Sequence, residues 1–205
     1  MSLGAATVTA AFSIGIVAKM TDPGSVAINT LVGNGSDNHI LFNEAGASDF
    51  WGFFDGATRY VGATIPWASW GMFIATKASG TVAPRMHMIP LPSGAATHAN
   101  FDATMANATA ATSWKFGTTF SFPCPAMNVA AVFVAKSEYT DGQCEALTSW
   151  SAIRAAAPEE SWRLDTTASI VGTGSSTQSA ITGTSYTTDE PAGFWGTPDL
   201  IMPSS

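Results

Sequence analysis

The sequence of residues 65–77 is IPWASWGMFIATK. From Trp70 onward its residues alternate between two sides, as the residues of a β-strand do because successive side chains point to opposite faces. One side carries Trp70, Met72 and Ile74, and the other carries Gly71, Phe73 and Ala75. The alternation predicts a strand over residues 70–77, and Pro66 predicts a preceding loop that leaves Trp67 more exposed than Trp70.

Strand patterns separated by turn residues recur on both sides of this stretch. Extended segments are predicted, in chain order, at residues 11–20, 28–32, 39–43, 50–54, 58–61, 85–91, 113–118 and 128–136. Asn34-Gly35 and Asp55-Gly56 favour hairpin turns, because these dipeptides readily adopt the positive φ that such turns require. Residues 128–136 are apolar on both faces, which predicts a strand covered on both sides. The chain is therefore predicted to be an all-β antiparallel sandwich.

The composition excludes several classes of protein. The 205 residues suit one domain with a full core, or one domain plus an arm. The 12 Phe and 7 Trp supply more apolar surface than a disordered chain carries. Only 11% of the residues are charged, too few for the solvent faces of a helical bundle. The net charge of -7 argues against a nucleic-acid binder, whose affinity rests on Lys and Arg.

Helix signals are confined to residues 140–164. The spacing Thr140-x-x-Gln143 matches a capping box that opens a short helix through Leu147. Pro158 matches the first turn of a second helix that ends near Leu164.

The composition changes after Asp165, where Ser, Thr and Gly dominate and no Lys or Arg follows. One interpretation is a loose tail. Apolar residues such as Phe194 and Trp195 favour instead an arm that docks on its own domain or on a neighbouring subunit. We predict a sandwich over residues 1–148, a short helical segment over 149–164 and an extended C-terminal arm over 165–205.

The order of these motifs resembles that of laminin-G-like, concanavalin A-like lectin and glucanase jelly-roll domains. The stretches that carry the resemblance are 12–19, 31–33 with 39–42, 65–77, 114–117, 127–135 and 137–147. The resemblance covers residues 11–148 and implies an antiparallel jelly-roll β-sandwich. Domains of this fold include sugar binders, hydrolases and structural modules, so the fold alone decides no function.

A stand-alone, weakly charged domain with a Ser/Thr/Gly-rich arm also resembles small virion proteins of tailed phages. Residues 3–18 lack the basic start of a signal peptide and are too short to span a bilayer. The resemblance implies a non-enzymatic virion structural protein, a capsid decoration or minor tail protein made in the host cytoplasm. Its expected partners are other virion proteins and copies of itself, with no nucleic acid and no membrane.

The sequence offers no enzymatic constellation. Jelly-roll glycosidases need two carboxylates on one strand face. The neighbouring acids Glu159-Glu160 and Asp189-Glu190 lack that spacing and are predicted to be solvated acids at a helix start and in a turn. The nucleophile motif Gly-x-Ser-x-Gly does not occur. Cys124 and Cys144 have no His nearby in sequence, so both are predicted to be small buried thiols.

The sequence gives little reason to expect a metal or another cofactor. His39, His87 and His98 have none of the close spacings that mark a zinc site. Calcium is left open, because concanavalin A-like domains often hold it at the sheet rim through oxygen ligands. The oxygen-rich loops near that rim are Asp37-Asn38, Asn43-Glu44 and Asp49. Polar turn residues explain these loops equally well.

Glycan binding is the alternative function. Carbohydrate sites stack sugar rings on exposed aromatic side chains and fix hydroxyl groups with polar ones. The predicted site residues are the aromatic Trp51, Tyr60 and Trp67 with the polar Asp55 and Arg59. The competing interpretation places Trp51 in the core, on one face with Phe53.

Overall fold

The strands in the described part of this protein form two antiparallel sheets. The structure, a computed structural model, describes residues 2–4, 10–22, 27–34, 40–45, 50–55, 58–105, 114–116, 127–158, 160–164, 171–172 and 189–195. Within these residues the strands are β1 (Ser2–Gly4), β2 (Phe12–Met20), β3 (Ala27–Asn34), β4 (Ile40–Ala45), β5 (Phe50–Phe54), β6 (Arg59–Thr64), β7 (Trp70–Lys77), β8 (Arg85–Pro90), β9 (Thr97–Asn100), β10 (Trp114–Phe116), β11 (Met127–Ala135), β12 (Glu160–Arg163) and β13 (Val171–Gly172). The helices are α1 (Asp141–Ala146) and α2 (Trp150–Ala155).

One sheet has the strand order β1-β10-β3-β4-β5-β6, and the other has the order β13-β12-β11-β2-β7-β8-β9. Every neighbouring pair is antiparallel. The predicted fold class, an all-β antiparallel jelly-roll sandwich with short helices, is confirmed.

Three neighbouring strands, β11, β2 and β7, form the centre of the seven-stranded sheet. Their alternation divides the side chains between two apolar layers. On β7, Phe73 and Ala75 face the six-stranded sheet, whereas Met72 and Ile74 face outward. Strand β11 follows the same rule, so the prediction that it is covered on both sides is confirmed.

The inner layer lies between the two sheets. Its large members are Phe12, Ile14, Ile16, Leu31, Trp51, Phe53, Tyr60, Phe73, Val132 and Trp162. The outer layer lies on the other face of the seven-stranded sheet, where α1, α2 and residues 189–195 cover it. Its large members are Trp70, Met72, Ile74, Ile89, Phe133, Tyr139, Leu147, Trp150, Ile153 and Phe194. The helices and the C-terminal segment therefore form a second apolar core with the outer face of the seven-stranded sheet.

The first helix begins as predicted. The Thr140 hydroxyl accepts a hydrogen bond from the Gln143 N–H, and the Gln143 side chain accepts one from the Thr140 N–H. This reciprocal pair is the capping box.

The predicted second helix from Pro158 to Leu164 is wrong. Helix α2 lies earlier in the chain, and residues 160–163 form β12, which pairs with β11 on one side and β13 on the other. A proline that follows a helix gives much the same local signal as one that opens a helix. Strand β12 also corrects the expectation of a solvated acid at Glu160, which is only 3% exposed.

Residues beyond 148 thus contribute two strands to the seven-stranded sheet. The division into residues 1–148, 149–164 and 165–205 stays a prediction, because most of the last range lies outside the described residues. In the part of the chain that the structure describes, no helix has the length and apolar character needed to cross a membrane.

Candidate functional site

A polar cluster interrupts the outer layer at the β8–β9 edge of the seven-stranded sheet. His87 on β8 and His98 on β9 are paired directly across the two strands. Helix α1 packs over this edge and presents Asp141 and Glu145, which share one helix face because they are four residues apart. The strands thus supply the imidazoles, and the helix supplies the carboxylates.

Short hydrogen bonds link these side chains into a chain. His87 Nε2 lies 2.9 Å from the Thr76 Oγ1 atom of β7. Nδ1 of His87 lies 2.8 Å from His98 Nδ1, and His98 Nε2 lies 2.8 Å from Glu145 Oε1. This series of hydrogen bonds runs from the fully buried Thr76 to Glu145, whose side chain is 55% exposed.

The direction of the hydrogen bonds follows from what each group can donate. An ionised carboxylate only accepts, so His98 donates from Nε2 to Glu145. A neutral His98 then accepts at Nδ1, so His87 donates from its own Nδ1 and accepts the Thr76 hydroxyl at Nε2. Every ring nitrogen has a partner with both imidazoles neutral.

Electrostatics keep His87 neutral and Asp141 ionised. Burial, with smaller contributions from His98 and Arg85, lowers the pKa of His87 to about 4, so its imidazole is neutral at pH 7. Hydrogen bonds from Arg85 lower the pKa of Asp141 below its usual range. Arg85 Nη2 lies 2.6 Å from one Asp141 carboxylate oxygen and 2.8 Å from the other. The 3.6 Å from His87 Nδ1 to Asp141 Oδ1 is therefore neither an ion pair nor a hydrogen bond.

One ligand atom each from His87, His98 and Asp141 lie within 4.8 Å of one another. Spacings such as i, i+4 do not reveal this cluster in the sequence, because the two histidines are eleven residues apart and meet only through the β8–β9 register. The sequence pattern that indicates the histidine pair is one histidine on each of two strands that flank the turn residues 91–96. The sequence gives no such signal for Asp141, which depends on how α1 packs.

A second polar anchor joins the C-terminal segment to the seven-stranded sheet. The carboxylate of Asp189 accepts hydrogen bonds from Lys19 Nζ at 2.9 Å, Trp70 Nε1 at 3.1 Å and Asn128 Nδ2 at 2.8 Å. These bonds, the one from Lys19 above all, lower the pKa of Asp189. The predicted solvated turn acid is therefore an anchor on β2, β7 and β11.

We expect this anchor to make stability depend on pH. The folded-state pKa of Asp189 lies below its unfolded value of about 3.9. The contribution of Asp189 to stability is thus complete above that value and is lost as pH falls through the folded pKa.

Asp189→Asn should lower the urea midpoint at pH 7 and should weaken the further fall of the midpoint between pH 4 and pH 2. Glu190→Gln, at an exposed neighbour that makes none of these three hydrogen bonds, is the control and should keep the wild-type urea midpoint at pH 7. Identical profiles for Asp189→Asn and the wild type would contradict the anchor.

The predicted glycan residues do not form one exposed platform. Trp51 is 0% exposed and packs edge-on against Phe73 and Phe101, at centroid distances of 5.6 and 5.9 Å. Tyr60 is 1% exposed, and its hydroxyl donates to Asp55 Oδ2 at 2.6 Å. Burial and this bond raise the pKa of Tyr60. A sugar cannot stack on either ring, because both faces lie inside the sandwich.

The other predicted glycan residues have different environments. Asp55 accepts a second hydrogen bond from the Thr58 N–H at 2.7 Å, which closes the β5–β6 turn. Trp67 is half-buried beside the exposed Ala68 and Ser69. The Arg59 side chain lies outside what the structure describes. Trp67 therefore stays a prediction for ligand contact.

Other predicted sites fall mainly outside the described residues. These are the calcium ligands in the loops, namely Asp37, Asn38 and Asp49, together with His39 and Cys124. Only the backbone is described at Asn43 and Glu44, on β4. Cys144 is a free thiol with 0% exposure, and burial raises its pKa to about 12. A thiol with that pKa is not a nucleophile at pH 7.

No family model and no curated protein matches this sequence. The chain is similar to the native heptameric SAP-like pentraxin from Limulus polyphemus, with 12% identity, a TM-score of 0.48 and 73% of each chain covered. It is also similar to scytalido-glutamic peptidase with a peptide-based transition-state analog, at 15% identity and a TM-score of 0.34, over 68% of this chain and 84% of the peptidase. A second structure of that peptidase gives 14% identity and a TM-score of 0.33, over 69% and 86% of the two chains. At such identities and scores these likenesses assign no activity.

Proposed function

We propose that the chain is a non-enzymatic structural protein of a tailed-phage virion, a capsid decoration or minor tail protein. It would act through contacts with copies of itself and with other virion proteins, without nucleic acid, membrane or a required cofactor. Its place in a virion rests on the likeness of size and composition. Its mode of action rests on the character of the exposed surface.

The observation that carries the proposal is the neutral, small-residue exterior. Among the residues whose side chains the structure describes, Lys136 and Arg154 are the exposed basic residues. The exposed positions are otherwise mostly Thr, Ser, Ala and Gly, with a few acids. Small neutral side chains lose little conformational entropy when a partner covers them, and they carry no charge to desolvate. Interface cores are depleted in charge for the same reason.

Four other basic side chains that the structure describes are engaged within the chain. Lys19 pairs with Asp189, and Arg85 pairs with Asp141. Lys77 is 0% exposed and donates to the carbonyl oxygens of Ala78 and Gly80. The Arg163 guanidinium lies 4.4 Å from the centre of the Trp195 ring. A surface with so few available cations is unsuited to phosphate backbones.

Light scattering of the full-length protein after size-exclusion chromatography tests the self-association. We expect a mass that is an integer multiple of 21.2 kDa, at least that of a dimer. A single 21.2 kDa species at every concentration would contradict the homo-oligomer.

Carbohydrate binding remains the alternative, now centred on the loop around Trp67. A glycan array with the wild type and Trp67→Ala separates the two functions. We expect no specific glycan signal. A signal that the wild type gives and Trp67→Ala abolishes would favour the carbohydrate-binding module over the structural protein.

A further inference from the structure

We propose that His87, His98 and Asp141 hold a divalent first-row transition-metal ion, with zinc as the expected occupant, that ties α1 to the β8–β9 edge. The donors would be Nδ1 of each histidine and one carboxylate oxygen of Asp141. Two imidazoles and a carboxylate form a donor set that suits zinc and its neighbours in the first transition row.

Two of the three separations between the donor atoms are close to those that one ion requires. Ligands about 2.0–2.1 Å from a tetrahedral ion lie about 3.4 Å from one another. The two Nδ1 atoms are 2.8 Å apart, and His87 Nδ1 lies 3.6 Å from Asp141 Oδ1. All three ligand atoms lie within 4.8 Å of one another, so we infer that rotations of the His98 and Asp141 side chains would bring them to that separation without a strand movement.

The groups behind the ligands are those that a metal site needs. A histidine bound through Nδ1 is held in place by an oxygen partner at its other nitrogen. Glu145 Oε1 already holds Nε2 of His98, and Thr76 Oγ1 already holds Nε2 of His87. Binding requires only that the proton on His87 Nδ1 move to Nε2, from which it donates to Thr76. The ion then replaces the proton between the two rings, and no net proton is released.

Charge and access also favour a cation. Asp141 and Glu145 face the cluster from α1, and Arg85 faces it from β8, so the surroundings carry one net negative charge at pH 7. The carboxylate of Asp141 has about four lone-pair positions and can keep Arg85 while it binds the ion.

The His87 side chain is 0% exposed, that of His98 is 13% exposed and that of Asp141 is 46% exposed. The ion can therefore enter beside Asp141, where water can fill the open coordination position.

Calorimetry of the tag-free, full-length protein with Zn²⁺, after removal of metals by a chelator, tests the site. We expect one ion per chain and a raised melting temperature. His98→Asn keeps a polar atom near the Nδ1 position but removes the imidazole, and it should abolish the 1:1 binding. Glu145→Gln should weaken Zn²⁺ binding by about 10–100-fold. The matched controls, His39→Asn and the exposed Glu138→Gln, should bind as the wild type does.

Imidazole nitrogen NMR separates a metal site from a purely structural hydrogen-bond chain. Without metal, the proton should lie on Nδ1 of His87 and on Nε2 of His98. With Zn²⁺, both rings should carry it on Nε2. Absence of saturable 1:1 binding in the folded wild type, or equal binding by His98→Asn, would overturn the proposal. So would zinc-bound histidines that keep the metal-free tautomers.

Discussion

Trp51→Ala should lower the free energy of unfolding by about 3–5 kcal/mol, the usual cost of truncating a fully buried large aromatic residue. Trp51 is 0% exposed and stands edge-on to Phe73 across the sandwich and to Phe101, which follows β9. Its removal leaves a cavity lined by side chains from both sheets, and these close-packed layers can only partly relax. Urea unfolding followed by circular dichroism measures the loss.

The matched control is Trp67→Ala. Trp67 is half-buried in the loop before β7, so its truncation should cost about 1 kcal/mol. The difference between the two variants reports whether Trp51 belongs to the core or to a ligand surface. A Trp51→Ala protein that is as stable as Trp67→Ala would show that the Trp51 ring is not enclosed.

Phe194→Ala should release the C-terminal segment from the outer layer. Phe194 is 1% exposed and contacts the Trp195 ring at 4.9 Å. Its carbonyl oxygen accepts a 2.8 Å hydrogen bond from the Trp150 N–H, a donor in the first turn of α2 that has no partner within the helix. We expect the substitution to lower stability by about 3–5 kcal/mol. The loss cannot exceed the free energy with which the segment docks, because the segment can detach without global unfolding.

Native-state hydrogen exchange measures this release at a single amide. In Phe194→Ala the Trp150 N–H should lose protection, while amides of the central strand β2 should lose less. Glu190→Ala alters an exposed residue of the same segment and should leave the Trp150 amide protected. Unchanged protection of that amide in Phe194→Ala would contradict a docking role for Phe194.

The parts of the fold that sequence predicts well are those whose signal is local. The alternation in β7 and β11 and the capping box at Thr140 are each complete within ten residues, and the structure confirms them. The prediction of a helix at β12 is wrong because its four residues are extended only through pairing with β11 and β13. A short segment of that kind has no strand signal of its own.

The candidate sites depend more strongly on tertiary structure. Trp51 and Tyr60 flank a hairpin turn, as surface residues often do, but the strand faces on which they lie turn inward. His87 and His98 look unrelated in sequence and become neighbours only through the β8–β9 register. Asp141 joins them because α1 packs on that edge, which no local pattern specifies.

The proposed role in a virion is tested most directly by quantitative mass spectrometry of virus particles. The particles are those produced from the genome that encodes this chain, purified on a density gradient. The account predicts that the chain is present at a fixed copy number per particle, stays with the particles through the gradient and is depleted from the host-cell fraction. Particles that lack the chain at equal purity, with the protein recovered only from the host fraction, would contradict it.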